Sequence, residues 1–176
     1  MATDEPDDAM SPFRPDLVAV WVYRVPEPTA PADLELLLLR RSPGRPLAGL
    51  WQCVTGAIEP DEPVAQAALR ELEEETRISG QAIEAFYDLD FVSQFHWPDA
   101  GGVLSEVVFA VRVRAGTKPV LSHEHDASRW VDPAEAIRAS VWPSYREAIE
   151  RIATILPDPD RAAWLETGLD GRRVRS

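Results

Sequence analysis

The order of apolar and polar residues along the chain predicts strands, then one acidic helix, then further strands and finally helices. Short runs rich in β-branched and aromatic residues, bounded by proline, glycine or charged residues, are typical of strands. Such runs occupy residues 17–23, 34–39, 51–54, 103–113 and 128–131, and residues 82–97 alternate between apolar and polar. Elements in this order predict an α/β (α+β) sandwich.

Helices are predicted where apolar residues recur at helical spacing behind a residue suited to a helix start. The acidic helix is expected to begin within residues 61–63, which read Asp-Glu-Pro. Asp132 and Ser144 are expected to cap two later helices, and a short helix is expected over 159–166.

The chain divides into three segments. Residues 1–15 are predicted to be a mobile acidic leader. Residues 16–157 are expected to form one folded domain, large enough for a sizeable core. Residues 158–176 form a C-terminal tail that ends in basic residues.

Charge and cysteine content limit the possible partners. The net charge of −12 argues against a nucleic-acid binder, which needs a basic face for phosphates. A small polyphosphate remains compatible, because bound cations reverse the local field. The single Cys53 excludes an internal disulfide and suits a reducing compartment. With no secretory signal and no membrane-spanning apolar run, we expect a cytoplasmic protein without a membrane partner. The sequence does not indicate the oligomeric state.

Three carboxylates of the acidic helix are predicted to lie on one side. Each helical residue turns by about 100°, so Glu71, Glu74 and Glu75 fall within one arc. Like charges at this spacing destabilise a helix, and a bound divalent cation would offset that cost. Oxygen ligands suit Mg²⁺, with Mn²⁺ as the alternative, and either ion also holds phosphate oxygens. Taken alone, the acidic run is more typical of a solvated helix face.

The spacing around these carboxylates resembles the motif of the Nudix hydrolases, G-x5-E-x7-R-E-U-x-E-E-x-G-U, where U is a bulky apolar residue. The matching positions are Gly56, Glu62, Arg70, Glu71, Leu72, Glu74, Glu75 and Ile78. The second glycine of the motif is Arg77 here, so the helix is expected to continue and to end at Ser79-Gly80. The resemblance implies the Nudix fold, with a mixed β-sheet between helices.

A wider resemblance, over about residues 17–156, is to the dihydroneopterin triphosphate pyrophosphatase group of that family. It is carried by residues 36–62, by the pattern of Glu124, His125 and Trp130, and by residues 141–152, while residues 91–102 are shorter than expected. It implies a Mg²⁺-dependent pyrophosphohydrolase that cleaves a nucleoside or pterin triphosphate and releases pyrophosphate. Dinucleoside polyphosphates or nucleotide sugars are alternative substrates. A non-catalytic nucleotide-binding module is a third interpretation.

The resemblance also implies roles for individual residues. The expected metal ligands are Glu71, Glu74, Glu75 and Glu124. Among these, Glu74, Glu75 and Glu124 are also assigned to catalysis, and Glu124 is the candidate for a general base.

Other roles rest on charge and backbone freedom. Arg70 is expected to orient the acidic cluster through Glu74, four residues further on. Arg40 or Arg41 is expected to contact phosphate, because guanidinium groups match phosphate geometry. Gly56 is expected to permit the turn into the motif.

Glu106 is interpreted either as a residue facing the pocket or as an exposed charge on an edge strand.

Overall fold

The computed structural model describes residues 13–26 and 33–175, which form a mixed seven-stranded sheet covered by helices on both faces. The strands are β1 (Leu17–Arg24), β2 (Glu35–Arg41), β3 (Trp51–Gln52), β4 (Val54–Ala57), β5 (Ile83–Trp97), β6 (Gly102–Val113) and β7 (His125–Val131). The helices are α1 (Val64–Thr76), α2 (Pro133–Ala139), α3 (Pro143–Ile155) and α4 (Pro159–Ala162). Most of the predicted leader, residues 1–12, lies outside the described residues.

The sheet has the strand order β3-β2-β1-β6-β5, with β4 paired to β1 and β7 paired to β2. β1 and β6 are parallel, and the other pairs are antiparallel. The predicted mixed sheet between helices is therefore confirmed. β1 lies in the middle and is apolar on both sides, as expected for a strand buried on both faces.

Two cores result from the alternation of side chains along β1. Val18, Val20 and Val22 pack with Leu72 of α1 on one face of the sheet. Trp21 and its neighbours on the opposite face pack in a second core, which includes the buried side of α3. The acidic helix and the C-terminal helices therefore cover opposite faces.

The boundaries of α1 and α3 differ from those expected. α1 ends at Thr76, because Arg77 itself adopts the left-handed conformation at φ 59° and its N–H donates to the Glu73 carbonyl at 2.8 Å. The prediction that α1 continues to Ser79-Gly80 was wrong. The prediction for Ser144 was also wrong, because α3 begins one residue earlier, at Pro143.

Other local predictions were confirmed or refined. The Asp132 side chain accepts a hydrogen bond from the Glu135 N–H at 2.7 Å, so it caps α2 as predicted. The strand expected over 51–54 is divided into β3 and β4 at Cys53. α4 is shorter than the helix expected over 159–166.

The C-terminal tail lies along β5 and reaches α1. Backbone hydrogen bonds join Asp88 N–H to the Leu165 carbonyl at 3.0 Å and Thr167 N–H to the Phe86 carbonyl at 2.8 Å. The Gln66 side chain on α1 donates to the Leu169 carbonyl at 2.7 Å. Among the helices of the described residues, none is long and apolar enough to cross a membrane.

Candidate active site

Gly56 lies in β4 directly under the carboxylate of Glu71. A Cβ atom on Gly56 would lie 1.9 Å from the Glu71 carboxyl carbon, so any side chain there would displace that carboxylate. Gly56 does not have a positive φ. The expected role in a turn was therefore wrong, and close approach is the reason for the glycine.

Arg70 is the centre of the acidic cluster. Its Nε and Nη2 donate to both oxygens of Glu62 at 2.9 and 3.0 Å, and its Nη1 donates to Glu71 Oε1 at 2.8 Å. The contact with Glu74, which the helical spacing predicted, is longer at 3.3 Å. Nη2 also donates to the Ala57 carbonyl at 2.9 Å, which fixes the guanidinium to β4. Arg70 therefore joins the loop before α1 to the helix face.

The Arg70 contacts act differently on the pKa values of its partners. The hydrogen bonds from Arg70 lower the pKa of Glu62. The pKa of Glu71 is raised by burial, which outweighs the opposing charge of Arg70, and the charges of Glu75 and Glu74 raise it further. Glu74 has a side chain 58% exposed, so it stands at the rim of the cluster. Sequence reasoning did not find the Glu62–Arg70 pair, because it joins a loop to a helix and has no helical spacing.

Glu75 is buried behind the helix face and is held by His125. His125 Nε2 and Glu75 Oε2 are 2.9 Å apart, and both side chains are almost fully buried. Burial raises the pKa of Glu75, while the hydrogen bond and charge of His125 oppose that rise and the charge of Glu124 adds to it. The sequence placed His125 in a pattern with Glu124 but gave it no role. Its contact with α1 depends on tertiary packing.

Glu124 precedes β7 and pairs with Arg41 across the sheet. Arg41 Nη1 donates to Glu124 Oε2 at 2.7 Å. Burial favours the neutral acid, but the hydrogen bond and charge of Arg41, together with the charges of Arg45 and His125, keep the pKa of Glu124 below its usual value. Glu124 therefore stays ionised at neutral pH beside Glu75.

Arg40 and Arg41 lie in different surroundings. Arg40 pairs with Asp126 at 2.7 Å, and its guanidinium lies 5.7 Å from the centre of the Trp51 ring. Successive strand residues point to opposite sides, and the register shifts between these two arginines. Of these two arginines, Arg41 lies beside the acidic site, because it contacts Glu124.

The described residues do not contain a ready-made cluster of three His, Cys, Asp or Glu side chains suited to a metal ion. The carboxylates are instead turned toward cationic or imidazole partners. Two features nevertheless fit a divalent cation: the candidate donors are all hard oxygens, and Gly56 leaves room for the Glu71 carboxylate. Arg70 contacts one carboxylate oxygen of Glu71, and His125 contacts one carboxylate oxygen of Glu75. Within the described residues, the other oxygen of each of these two carboxylates has no hydrogen bond.

Glu106 is not an exposed edge charge. It lies in β6, which pairs with both β1 and β5, and the residue is 4% exposed. Burial raises its pKa to about 7, although a hydrogen bond from Ser93 opposes the rise.

Comparison with known proteins agrees with this architecture. The family model of the NUDIX domain matches residues 15–152. An octanoyltransferase of Myxococcus xanthus is 38% identical over 146 residues, which are 82% of this chain but 38% of that protein. The CTP pyrophosphohydrolase of Escherichia coli is 32% identical over 64% of this chain and 77% of its own length. The dihydroneopterin triphosphate diphosphatase of the same species is 30% identical over 78% of this chain and 91% of its own length.

Solved structures show the same fold. The dihydroneopterin triphosphate pyrophosphohydrolase of E. coli superposes with a TM-score of 0.65 and 27% identity, over 80% of this chain and 95% of that one. A Caenorhabditis elegans Ap4A hydrolase has a TM-score of 0.66 over 81% of this chain and 98% of its own, at 22% identity. The second likeness concerns the fold alone.

The matching family model and these relatives define the class as that of the Nudix hydrolases, which act on phosphoanhydride bonds. The chain belongs to the NUDIX domain family. Nudix hydrolases generally use divalent metal ions.

Proposed function

We propose that this protein is a Mg²⁺-dependent pyrophosphohydrolase that cleaves a nucleoside or pterin triphosphate and releases pyrophosphate. The observation that carries this proposal is the placement of Glu71 against Gly56, with Glu75 buried beside it and Glu124 close to Glu75. The similarity to a CTP pyrophosphohydrolase and to a dihydroneopterin triphosphate diphosphatase supports a triphosphate substrate.

Glu71, Glu74, Glu75 and Glu124 would hold the divalent cation, either Mg²⁺ or Mn²⁺. When bound, the cation supplies positive charge that neutralises the phosphate oxygens and acts as a Lewis acid. The acidic site needs this charge, since a polyphosphate would otherwise meet several carboxylates.

The residues of the chain position the reactants and move one proton. Arg70 holds Glu62 and Glu71, and His125 holds Glu75, so the carboxylates keep fixed positions. Water attacks a phosphorus atom, the bond to the bridging oxygen breaks, and pyrophosphate leaves. We assign Glu124 as the base that accepts the proton of the attacking water.

Arg41 has two assigned roles. Its ion pair keeps Glu124 ionised and oriented. It also places a cation at the edge of the acidic site, where a terminal phosphate group would meet it. Arg40, which pairs with Asp126, is assigned no contact with substrate.

A substrate panel with Mg²⁺ tests the proposal. It contains dihydroneopterin triphosphate, the common (d)NTPs including CTP, diadenosine polyphosphates and ADP-ribose, and it follows pyrophosphate and phosphate release. We expect pyrophosphate from a triphosphate, no activity with a chelator, and a loss of at least about 100-fold in Glu75→Gln. Glu73→Gln is the matched control, because Glu73 lies on α1 at a variable position of the motif and is exposed.

Other outcomes separate the alternatives. Turnover of diadenosine polyphosphates or ADP-ribose alone would keep the Nudix chemistry and replace the substrate class. Nucleotide binding without any turnover would favour a non-catalytic module. The single buried Cys53 fits a reducing compartment such as the cytoplasm.

A further inference from the structure

Glu106 is a buried carboxyl group that the proposed hydrolysis does not use. Within the described residues, its side chain has one hydrogen bond, from the Ser93 hydroxyl to Oε2 at 3.4 Å, and no ion pair. Burying a carboxyl group with so little hydrogen bonding costs free energy. A buried carboxyl group on this interior strand therefore points to a ligand or another function.

The sheet surface around Glu106 is apolar and half-buried. Ser93 pairs with Glu106 in the register of β5 and β6, and Phe95 pairs with Leu104. Paired residues share one face of a sheet, and alternate residues of β5 add Trp97 to it. Phe95, Trp97 and Leu104 are half-buried, whereas the intervening residues of β5 are exposed. The Glu106 carboxyl thus lies at the inner end of a partly accessible aromatic surface.

This aromatic surface adjoins the acidic site. Burial is the main cause of the raised pKa values of Cys53 and Tyr145, and the charges of Glu106 and Glu75 raise both further. Glu106 alternates with Val108 and Ala110 along β6, so it lies on the α3 face of the sheet, in the same core as Cys53 and Tyr145. In the strand register Glu106 pairs with Leu17 of β1, and Leu17 pairs with Ala57 of β4, the neighbour of Gly56. Since Glu75 is an expected metal ligand, a substrate with its phosphates there can extend its ring toward Glu106.

We propose that Glu106 binds the heterocycle of the substrate, and that the preferred heterocycle carries the 2-amino-4-oxopyrimidine edge shared by guanine and pterins. This edge presents an N–H and an adjacent amino group, which match the two oxygens of one carboxylate. Phe95 and Leu104 supply an apolar surface for the flat ring. The proposal rests on the proposed function, because it concerns the base of the same triphosphate.

Other common bases do not match this carboxylate. Hypoxanthine has the ring N–H but lacks the amino group, and uracil also presents a single N–H donor. Adenine and cytosine place a ring acceptor beside their amino group, and that acceptor would face a carboxylate oxygen. A site that leaves a buried acceptor unpaired discriminates against such analogues.

The decisive comparison is between GTP and ITP, which differ only in the 2-amino group. We expect kcat/KM for GTP to exceed that for ITP by at least about 10-fold in the unmodified protein. In Glu106→Gln, which keeps the size of the side chain, this ratio should fall to about threefold or less. Glu84→Gln is the matched control, because Glu84 is a half-exposed carboxyl on the neighbouring strand β5, and it should retain the ratio. Dihydroneopterin triphosphate in the same assay decides between a pterin and guanine as the better substrate.

A binding experiment separates this proposal from the proposed function. Calorimetric titration with GMP and IMP reports on the base without any hydrolysis. Tighter binding of GMP, reduced in Glu106→Gln, would support the base site even if no triphosphate were hydrolysed. Equal turnover of GTP and ITP, or equal affinity for GMP and IMP, would overturn it.

Discussion

At the scale of single residues, the absence of a side chain at Gly56 shapes the site, and the left-handed backbone of Arg77 ends its helix. Gly56 leaves the space that the Glu71 carboxylate fills, and Arg77 ends α1 in a conformation that glycine adopts more easily. The first feature concerns activity and the second concerns stability, so the two can be tested separately.

Gly56→Ala should remove most activity without unfolding the protein. The added methyl group would collide with the end of the flexible Glu71 side chain. This side chain can rotate away, but its carboxylate then leaves its place in the acidic site. We expect kcat to fall by about 100-fold, as a small displacement of a catalytic group can cause. Pyrophosphate release and circular dichroism measure the two effects. Gly116→Ala is the control, since a methyl group at Gly116 meets nothing within 4 Å; equal loss in both variants would contradict the assignment.

Arg77→Gly should stabilise the protein slightly. The left-handed conformation costs a non-glycine residue roughly 1–2 kcal/mol, and part of the gain is lost because glycine is more flexible when unfolded. We expect the free energy of unfolding to rise by about 0.5 kcal/mol and Tm by about 1–2 °C. Arg77→Ala keeps the strain and removes the side chain. If Arg77→Gly were less stable than Arg77→Ala in thermal unfolding, the strain would not explain the helix end.

At the scale of elements, three segments meet at the site. The β4–α1 unit supplies Gly56 and the motif carboxylates, and β2 supplies Arg41. Glu124 immediately precedes β7, and His125 is the first residue of that strand. β7 pairs with β2, so the Arg41–Glu124 contact follows from the sheet register. The geometry of the base therefore depends on strand pairing as well as on the motif.

The two neighbouring arginines of β2 should differ in their effect on activity. Arg41→Ala removes the partner of Glu124, and we expect kcat/KM to fall by about 10- to 100-fold, the loss typical of a charged hydrogen bond. Arg40→Ala removes a surface pair with Asp126, and such pairs contribute little. Its kcat/KM should stay within about twofold. A larger loss in Arg40→Ala than in Arg41→Ala would reverse the assignment of the phosphate contact.

At the scale of the whole molecule, the sheet separates two cores, and the carboxyl group of Glu106 is buried in its interior. α1 lies on one face and α3 on the other, and Glu106 is buried in β6, an interior strand between β1 and β5. A buried carboxyl makes the stability of the entire domain depend on pH, because unfolding exposes it to water.

The stability of the protein relative to Glu106→Gln should fall as pH rises. Burial raises the pKa of Glu106 to about 7 from the ordinary value of 4.5, so between these values the folded state binds the proton more tightly than the unfolded state. The stabilising contribution is therefore fully present below about pH 4.5 and is lost as pH rises through about 7. The loss amounts to about 3 kcal/mol in total.

Denaturant unfolding of both proteins at pH 5 and pH 8 measures this difference. At pH 5 the free energy of unfolding of Glu106→Gln should be close to that of the unmodified protein. At pH 8 the free energy of unfolding of the variant should be the higher of the two. A difference independent of pH would show that Glu106 keeps its ordinary pKa.

Local patterns in the sequence determined the order of strands and helices along the chain, the acidic helix and the family motif. Alternation, helical spacing and the fixed intervals between Gly56, Arg70 and Glu75 are properties of neighbouring residues, so they can be read along the chain. The chain could not show that Arg77 takes the left-handed conformation in place of glycine, because the packing after α1 decides that angle.

Only the tertiary structure decided which side chains meet. The Arg41–Glu124 pair joins residues 83 positions apart, and the Glu75–His125 pair joins residues 50 positions apart. Strand register and the packing of α1 against the sheet create these contacts, and no local spacing encodes them. The burial of Glu106 has the same origin: alternation placed it on a strand, but only the pairing of β6 with β1 and β5 placed that strand inside the sheet.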